Sequence, residues 1–216
     1  MYRLRRQQQQ TPRREISRID RSRATTVHQA ANPNQVWSWD ITYLPTTIRG
    51  RYLYLYLVMD VWSRRIVGWQ VHECESADHA AALIVRTCEK EGIDPQGLVL
   101  HSDNGKPMRG NTMLATLQWL GIVPSFSRPH VSDDNPYSEA LFRTLKQTPF
   151  YPSNPFLDLP TAQRWVADFV GWYNGSHRHS AVRYVTPDER HFGRERAILA
   201  KRHELYERAR RRRPER

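Results

Sequence analysis

The 216-residue chain contains no uninterrupted apolar run near the roughly 20 residues that a bilayer-spanning helix needs, and its opening MYRLRRQQQQ has no apolar signal core. On the sequence alone these absences point away from membrane-embedded and secreted classes and give the expectation of a cytoplasmic protein. Cysteine is scarce. Cys74 and Cys88 have no C-x-x-C spacing, and with His72 and His79 they make no zinc pattern. A disulfide scaffold and a zinc module are set aside, leaving two reduced, partly buried thiols. The length suits one sizeable domain with extra segments at its ends.

Acidic excess is missing as well, and the basic excess is confined to the two ends. The net charge is +11; residues 1–31 carry eight Arg against Glu15 and Asp20, residues 201–216 carry eight Lys or Arg against three Glu, and the stretch between them is balanced. Basic arms on a neutral body suit a polyanion, because each phosphate neutralised releases condensed counterions without regard to sequence. Nucleic acid is the partner this distribution implies, with the dense RARRRRPER tail (Arg210, Arg211, Arg212 and Arg213) as a contact candidate. The alternative is a pair of solvated tails that only aid solubility.

Between the arms, residues 1–31 and 194–216, lies a body over 32–193. Three strand-like runs open it, VWSWDITYL, RYLYLYLVMDV and RRIVGWQVH, and read as an antiparallel meander. Ser76 caps a helix that Gly92 ends, the short strand GLVLHSD follows, and a helix from Asn111 to Gly121 leads to the strand-like IVPSF. After the loop SRPHVSDDNP, where Asp133, Asp134 and Asn135 read as charge and cap for a helix N-terminus, helical periodicity returns from Pro136 to Lys146. Another helix carries Ala162, Trp165, Val166, Phe169, Val170 and Tyr173 on one face, and a Thr186–Glu189 capping box opens the last. That order predicts a mixed five-stranded sheet with helices on both faces.

Within VWSWDITY, period two places Trp37, Trp39, Ile41 and Tyr43 on one face and Val36, Ser38, Asp40 and Thr42 on the other. An Asp in a strand ordinarily reads as a solvated residue on an edge. Two further acids change its meaning: Asp103 in LHSDNG at the exit of the fourth strand, and Glu139, 35 residues beyond it, in the helix after the loop. If the first and fourth strands are neighbours, Asp40 and Asp103 face each other and the helix lowers Glu139 beside them. Three crowded carboxylates repel one another unless one is protonated or a cation binds. Oxygen ligands without His or Cys select Mg2+ or Mn2+, and a pair of such ions suits phosphodiester displacement. On the same helix Glu139, Arg143 and Lys146 share a face, with Tyr137, Leu141 and Leu145 opposite. Arg143, Lys146 and Lys106 are candidate phosphate contacts. Asp60, before the WSRR corner, reads as a corner residue; His101 and His130 read as positioning groups, and His177, Arg178 and His179 as hydrogen-bonding residues or DNA contacts.

VWSWDITYL, DVWSRRIVGW, LHSDNG, SRPHVSDDNPYSEALFRTLK and YNGSHRHSAVRYVTP together resemble the DDE transposases of bacterial insertion sequences, the OrfB type whose core is similar to that of retroviral integrases. The resemblance covers about residues 32–193. It implies a ribonuclease H-like fold, with Asp40 bridging two ions and Asp103 and Glu139 each holding one. It further implies nicking at an element's end, then attack of the freed 3′-hydroxyl on another strand with no covalent protein intermediate. Such a protein acts near the nucleoid, as a homodimer or larger assembly on DNA, and a companion helix-turn-helix protein is expected to supply end recognition. Two other classes compete: a shortened transposase acting as a DNA-binding inhibitor, and a ribonuclease-H-type nuclease that cuts RNA in hybrids.

Overall fold

The computed structural model describes residues 29–128 and 135–212. Most of the N-terminal arm, His130, Asp133, Asp134 and Arg213 lie outside them. Strands β1 (Val36–Pro45), β2 (Tyr52–Asp60) and β3 (Ile66–His72) are followed by α1 (Ala77–Glu91), β4 (Val99–Ser102), α2 (Asn111–Leu120), β5 (Val123–Phe126), α3 (Pro136–Gln147), α4 (Leu159–Gly175), α5 (Pro187–His191) and α6 (Glu195–Arg212). The sheet order is β3-β2-β1-β4-β5; β1–β2 and β2–β3 are antiparallel, β1–β4 and β4–β5 parallel. This is the mixed sheet that the element order predicts.

β1 is the middle strand, so the edge-strand reading of Asp40 does not hold. The alternation in the sequence explains why β1 and β2 sit in the centre. Tyr–Leu alternation in β2 sends Leu53, Leu55 and Leu57 to one face and Tyr54 and Tyr56 to the other. Trp37, Trp39, Tyr56 and Val58 pack with α1 and α2, whereas Leu44, the three leucines and Met59 pack with Leu141 and Leu145 of α3 and with the apolar stripe of α4. Each layer is therefore fixed by period two in the strands meeting period 3.6 in the helices.

α1 begins at Ser76, whose side chain accepts from the Asp78 N–H, and ends at Gly92 in the left-handed region, as its sequence predicts. The Thr186–Glu189 capping box is also present, but it opens only the five residues of α5. The chain then turns at Gly193, with φ of 73°, at the end of the body read from the sequence, and the basic C-terminal segment forms its own helix, α6. α6 is almost wholly exposed, with Glu195 its one buried residue. Near its middle the Arg202 guanidinium donates to the Arg183 carbonyl at 2.7 Å.

Asp60 is fully buried at the β2–β3 corner. Its carboxylate accepts from the Ser63 N–H (2.7 Å), the Ser63 hydroxyl (2.6 Å) and the Asn34 N–H (2.7 Å), which is the corner role read from the sequence. His179 and Arg178 likewise serve local structure: His179 Nδ1 accepts from the Ala181 N–H and Arg178 donates to the Tyr184 carbonyl. The His177 ring stacks on Tyr173. Trp165, Phe169 and Tyr173 pack within α4's core face.

Candidate active site

The parallel register pairs Val36 with Val99, Trp37 with Leu100 and Ser38 with His101, a constant offset of 63 residues. The same offset sets Asp103 level with Asp40. Paired residues in adjacent strands project to the same face, and on this face Ser38 meets α3 through direct hydrogen bonds. The pairing stops at Ser38–His101 while β1 continues to Pro45, so Asp40 and Asp103 stand where the two strands part.

Each acid is oriented by a backbone N–H close to it. Asp40 Oδ1 accepts from the Ile41 N–H at 2.7 Å, and Asp103 Oδ1 accepts from the Gly105 N–H at 2.9 Å. Gly105 is required by proximity: a Cβ there would lie 2.8 Å from the Met108 sulfur and 3.1 Å from Asp103 Oδ1. Gly105→Ala is expected to push the Asp103 carboxylate aside and to cut any activity that depends on that carboxylate about tenfold or more, with the circular dichroism spectrum unchanged. Wild-type activity in that variant would remove the role given to this turn.

α3 carries the third acid. Leu141 and Leu145 are buried, and Glu139, Arg143 and Lys146 are exposed on one side of the helix, the arrangement its periodicity predicts. Asn135 sits at the N-cap position but makes no side-chain cap bond. Its amide is used across the interface instead: Oδ1 accepts from the Ser38 hydroxyl at 2.6 Å and Nδ2 donates to the Trp39 carbonyl at 3.3 Å. Ser38 Oγ lies 2.8 Å from Ser138 Oγ. Sequence reasoning passed over Ser38 and Ser138 and read Asn135 as a local cap.

Burial, first, and then the neighbouring Asp103 carboxylate push the Asp40 carboxyl up to about 7; the Ile41 N–H opposes them, and Glu139 and Glu75 add to the rise. The three expected acids therefore share one electrostatic environment, with Asp40 its focus. Glu75, which accepts from the Tyr43 hydroxyl at 3.1 Å, is a fourth acid that nothing in the sequence pattern singled out. Among the described residues, no three His, Cys, Asp or Glu side chains converge as a ligand set for one ion. Lys106 is exposed beyond the Asp103 turn, and Arg210, Arg211 and Arg212 are exposed on α6. His101 is buried, with Nδ1 3.0 Å from Ser125 Oγ of β5. No described helix is long and apolar enough to cross a membrane.

A mixed five-stranded sheet in the order β3-β2-β1-β4-β5, with helices packed on both faces, is the architecture of an integrase-type core. Integrase core domain families match residues 30–132 and 120–187, which together take in nearly three quarters of the chain. The transposase for insertion sequence element IS904 of Lactococcus lactis is 30% identical over 163 residues, covering 76% of this chain and 63% of that protein. The chain belongs to the integrase core family, alongside the transposases of bacterial insertion sequences. It spans 54–63% of the length of such curated relatives. Among solved structures, a chain of the simian T-cell lymphotropic virus intasome in complex with the PP2A regulatory subunit B56 gamma superposes with a TM-score of 0.61 at 16% identity, covering 76% of this chain and 56% of that one. The HTLV-2 integrase catalytic core domain in complex with magnesium, in its dimeric form, gives 0.50 at 16% identity over 76% and 98%. These two likenesses bear on the fold, which is that of the retroviral integrase core.

Proposed function

We propose that this chain is the catalytic part of a DDE transposase, in which Asp40, Asp103 and Glu139 hold two divalent ions and direct nicking and strand transfer at the ends of an insertion sequence. The observation that carries this reading is the level placement of Asp40 and Asp103 on parallel neighbours, with Asp40's carboxyl raised by burial, by Asp103 and by Glu139. Such crowding is relieved by cations. The donor set is made of hard carboxylate oxygens, which fits Mg2+ or Mn2+, and magnesium is bound in the HTLV-2 relative. Asp40, Asp103 and Glu139 would hold the ions through their carboxylate oxygens. When bound, the ions supply the positive charge that lowers the cost of phosphodiester displacement.

The chain's own groups do the positioning. The Ile41 and Gly105 N–H groups hold Oδ1 of Asp40 and of Asp103 and so orient the two carboxylates. His101 Nδ1 lies 3.0 Å from Ser125 Oγ, so it supports the β4–β5 pairing and is assigned a positioning role. Lys106, Arg143 and Lys146 are exposed and serve the DNA backbone; the arginines at 210–213 add affinity without sequence preference. The first step breaks a phosphodiester with water and leaves a 3′-hydroxyl. That hydroxyl then attacks a second strand, with its own phosphodiester forming as the target's breaks. Bringing two DNA ends together calls for a homodimer or larger assembly, and a companion helix-turn-helix protein is assigned the recognition of those ends.

The test is a Mg2+- or Mn2+-dependent assay on labelled DNA ends, run with and without such a companion. Nicking and joining in the wild type, absent from Asp40→Asn, Asp103→Asn and Glu139→Gln, is the expected result. Cleavage confined to RNA in hybrids, or joining that survives all three changes, contradicts it.

A further inference from the structure

Of the polar side chains buried between the sheet and α3, three form a closed set that the chemistry above does not use: Ser38, Asn135 and Ser138, with relative exposures of 0%, 4% and 3%. Their hydrogens can be assigned from the contacts. Asn135 Nδ2 faces the Trp39 carbonyl, so Oδ1 faces Ser38. The single Ser38 hydroxyl hydrogen goes to that oxygen, so the bond between the two serines must be donated by Ser138. Every member is satisfied only when α3 sits at one height and one rotation on β1.

Position gives this set its consequence. Ser38 precedes Asp40 by two residues on the same face, about 7 Å along the strand, and Ser138 is the residue before Glu139. Hydrophobic packing of Leu141 and Leu145 presses α3 onto the sheet but tolerates small slides, because apolar contact has no direction. Hydrogen bonds have direction and short range. A slide of one ångström, which the leucines tolerate, would strain the bonds to Ser38 and shift Glu139 relative to Asp40 by a like amount.

Resting on the metal-dependent reading above, we propose that Ser38, Asn135 and Ser138 form a positioning latch that sets the separation of Asp40 and Glu139 and thereby the affinity of the site for its divalent ions. None of the three touches the ion or the DNA. They act through the carboxylates they flank, as outer groups that orient ligands do in metal sites generally, where loss of one typically weakens binding about 10–100-fold.

The measurement is Mn2+ binding to the protein without DNA, read from the electron paramagnetic resonance signal of free Mn2+, for wild type, Asp40→Asn, Ser38→Ala, Ser138→Ala and Val166→Ala. Val166 is buried in the apolar layer that α3 shares with α4, but on α4, which packs on β3 two strands from β1, so its variant gives the effect of a general loss of packing. Mg2+ titrations of strand transfer run in parallel. Ser38→Ala and Ser138→Ala are expected to weaken Mn2+ binding about tenfold and to move the Mg2+ midpoint upward by a like factor. The rate at saturating Mg2+ should stay within about threefold of wild type, and Val166→Ala should leave both midpoints in place. Ser138→Ala removes one bond where Ser38→Ala removes two, so it keeps the test open if the latter folds poorly. Loss of binding in Asp40→Asn, with both serine variants matching Val166→Ala, overturns the latch alone. Binding in Asp40→Asn equal to wild type overturns the metal reading and the latch together.

Discussion

Asp40→Asn is expected to lower DNA joining by at least about a thousandfold and, in the absence of metal at pH 8, to make the folded protein more stable. The first effect follows from removing the carboxylate assigned to both ions: transition-state charge stabilisation of several kcal/mol is lost, at about 1.4 kcal/mol per factor of ten. The second follows from the carboxyl's environment. Its folded value is about 7, because of burial and then Asp103, whereas an unfolded Asp titrates near 3.9. Below pH ~4 both states are protonated and Asp40 costs nothing. As pH rises toward 7 the unfolded chain gives up its proton and the folded one keeps it, so stability falls, and it levels off above pH ~7. A shift of this size corresponds to a few kcal/mol, which the neutral Asn escapes. Denaturant midpoints of the two proteins should therefore separate between pH 4 and 7 and draw together when Mn2+ is added to the wild type. Parallel curves across that range would contradict the crowded-carboxylate account. In the presence of metal the proton competes with the ion, so metal binding by the wild type should weaken as pH falls through about 7.

Replacing Arg210, Arg211, Arg212 and Arg213 together by Ala is expected to reduce DNA affinity most at low salt. It should flatten the plot of log affinity against log salt by up to about 3.6, since each phosphate neutralised contributes roughly 0.9 to that slope. Three of the four lie at the exposed end of α6, where no described ion pair engages them. Sequence discrimination should be unchanged, because contacts of this kind carry no base information. An unaltered slope would show that the C-terminal arginines are solvated charge only. The triad variants offer an internal contrast, as they should abolish chemistry while leaving the salt slope intact.

How much of this was readable beforehand depends on whether the signal was local. Period two in VWSWDITY assigned Asp40 to the leaner face, and β1 places it there beside Ser38 and Thr42, on the side that α3 covers. The helix caps at Ser76 and Gly92 are written in a few adjacent residues and were legible for that reason. Whether β1 was an edge or a central strand was not legible from the strand itself, because its neighbour β4 begins more than 50 residues after β1 ends. The same limit hid the latch: Ser38 lies 97 residues from Asn135 and 100 from Ser138. Asn135 before a proline has the local look of a helix cap, and tertiary contact claimed its side chain for the sheet. The break between α5 and α6 falls at Gly193, where the sequence also ends the body and begins the basic tail. Glu75 left no trace at all, since its nearness to Asp40 comes from the turn that joins β3 to α1.

The central claim is that Asp40, Asp103 and Glu139 together hold a pair of divalent ions, and crystals of the protein grown with Mn2+ test it most directly through anomalous diffraction at the manganese edge. The account predicts two peaks, one between Asp40 and Asp103 and the other between Asp40 and Glu139. Manganese bound only elsewhere, with these three carboxylates free of metal at saturating concentration, would contradict it.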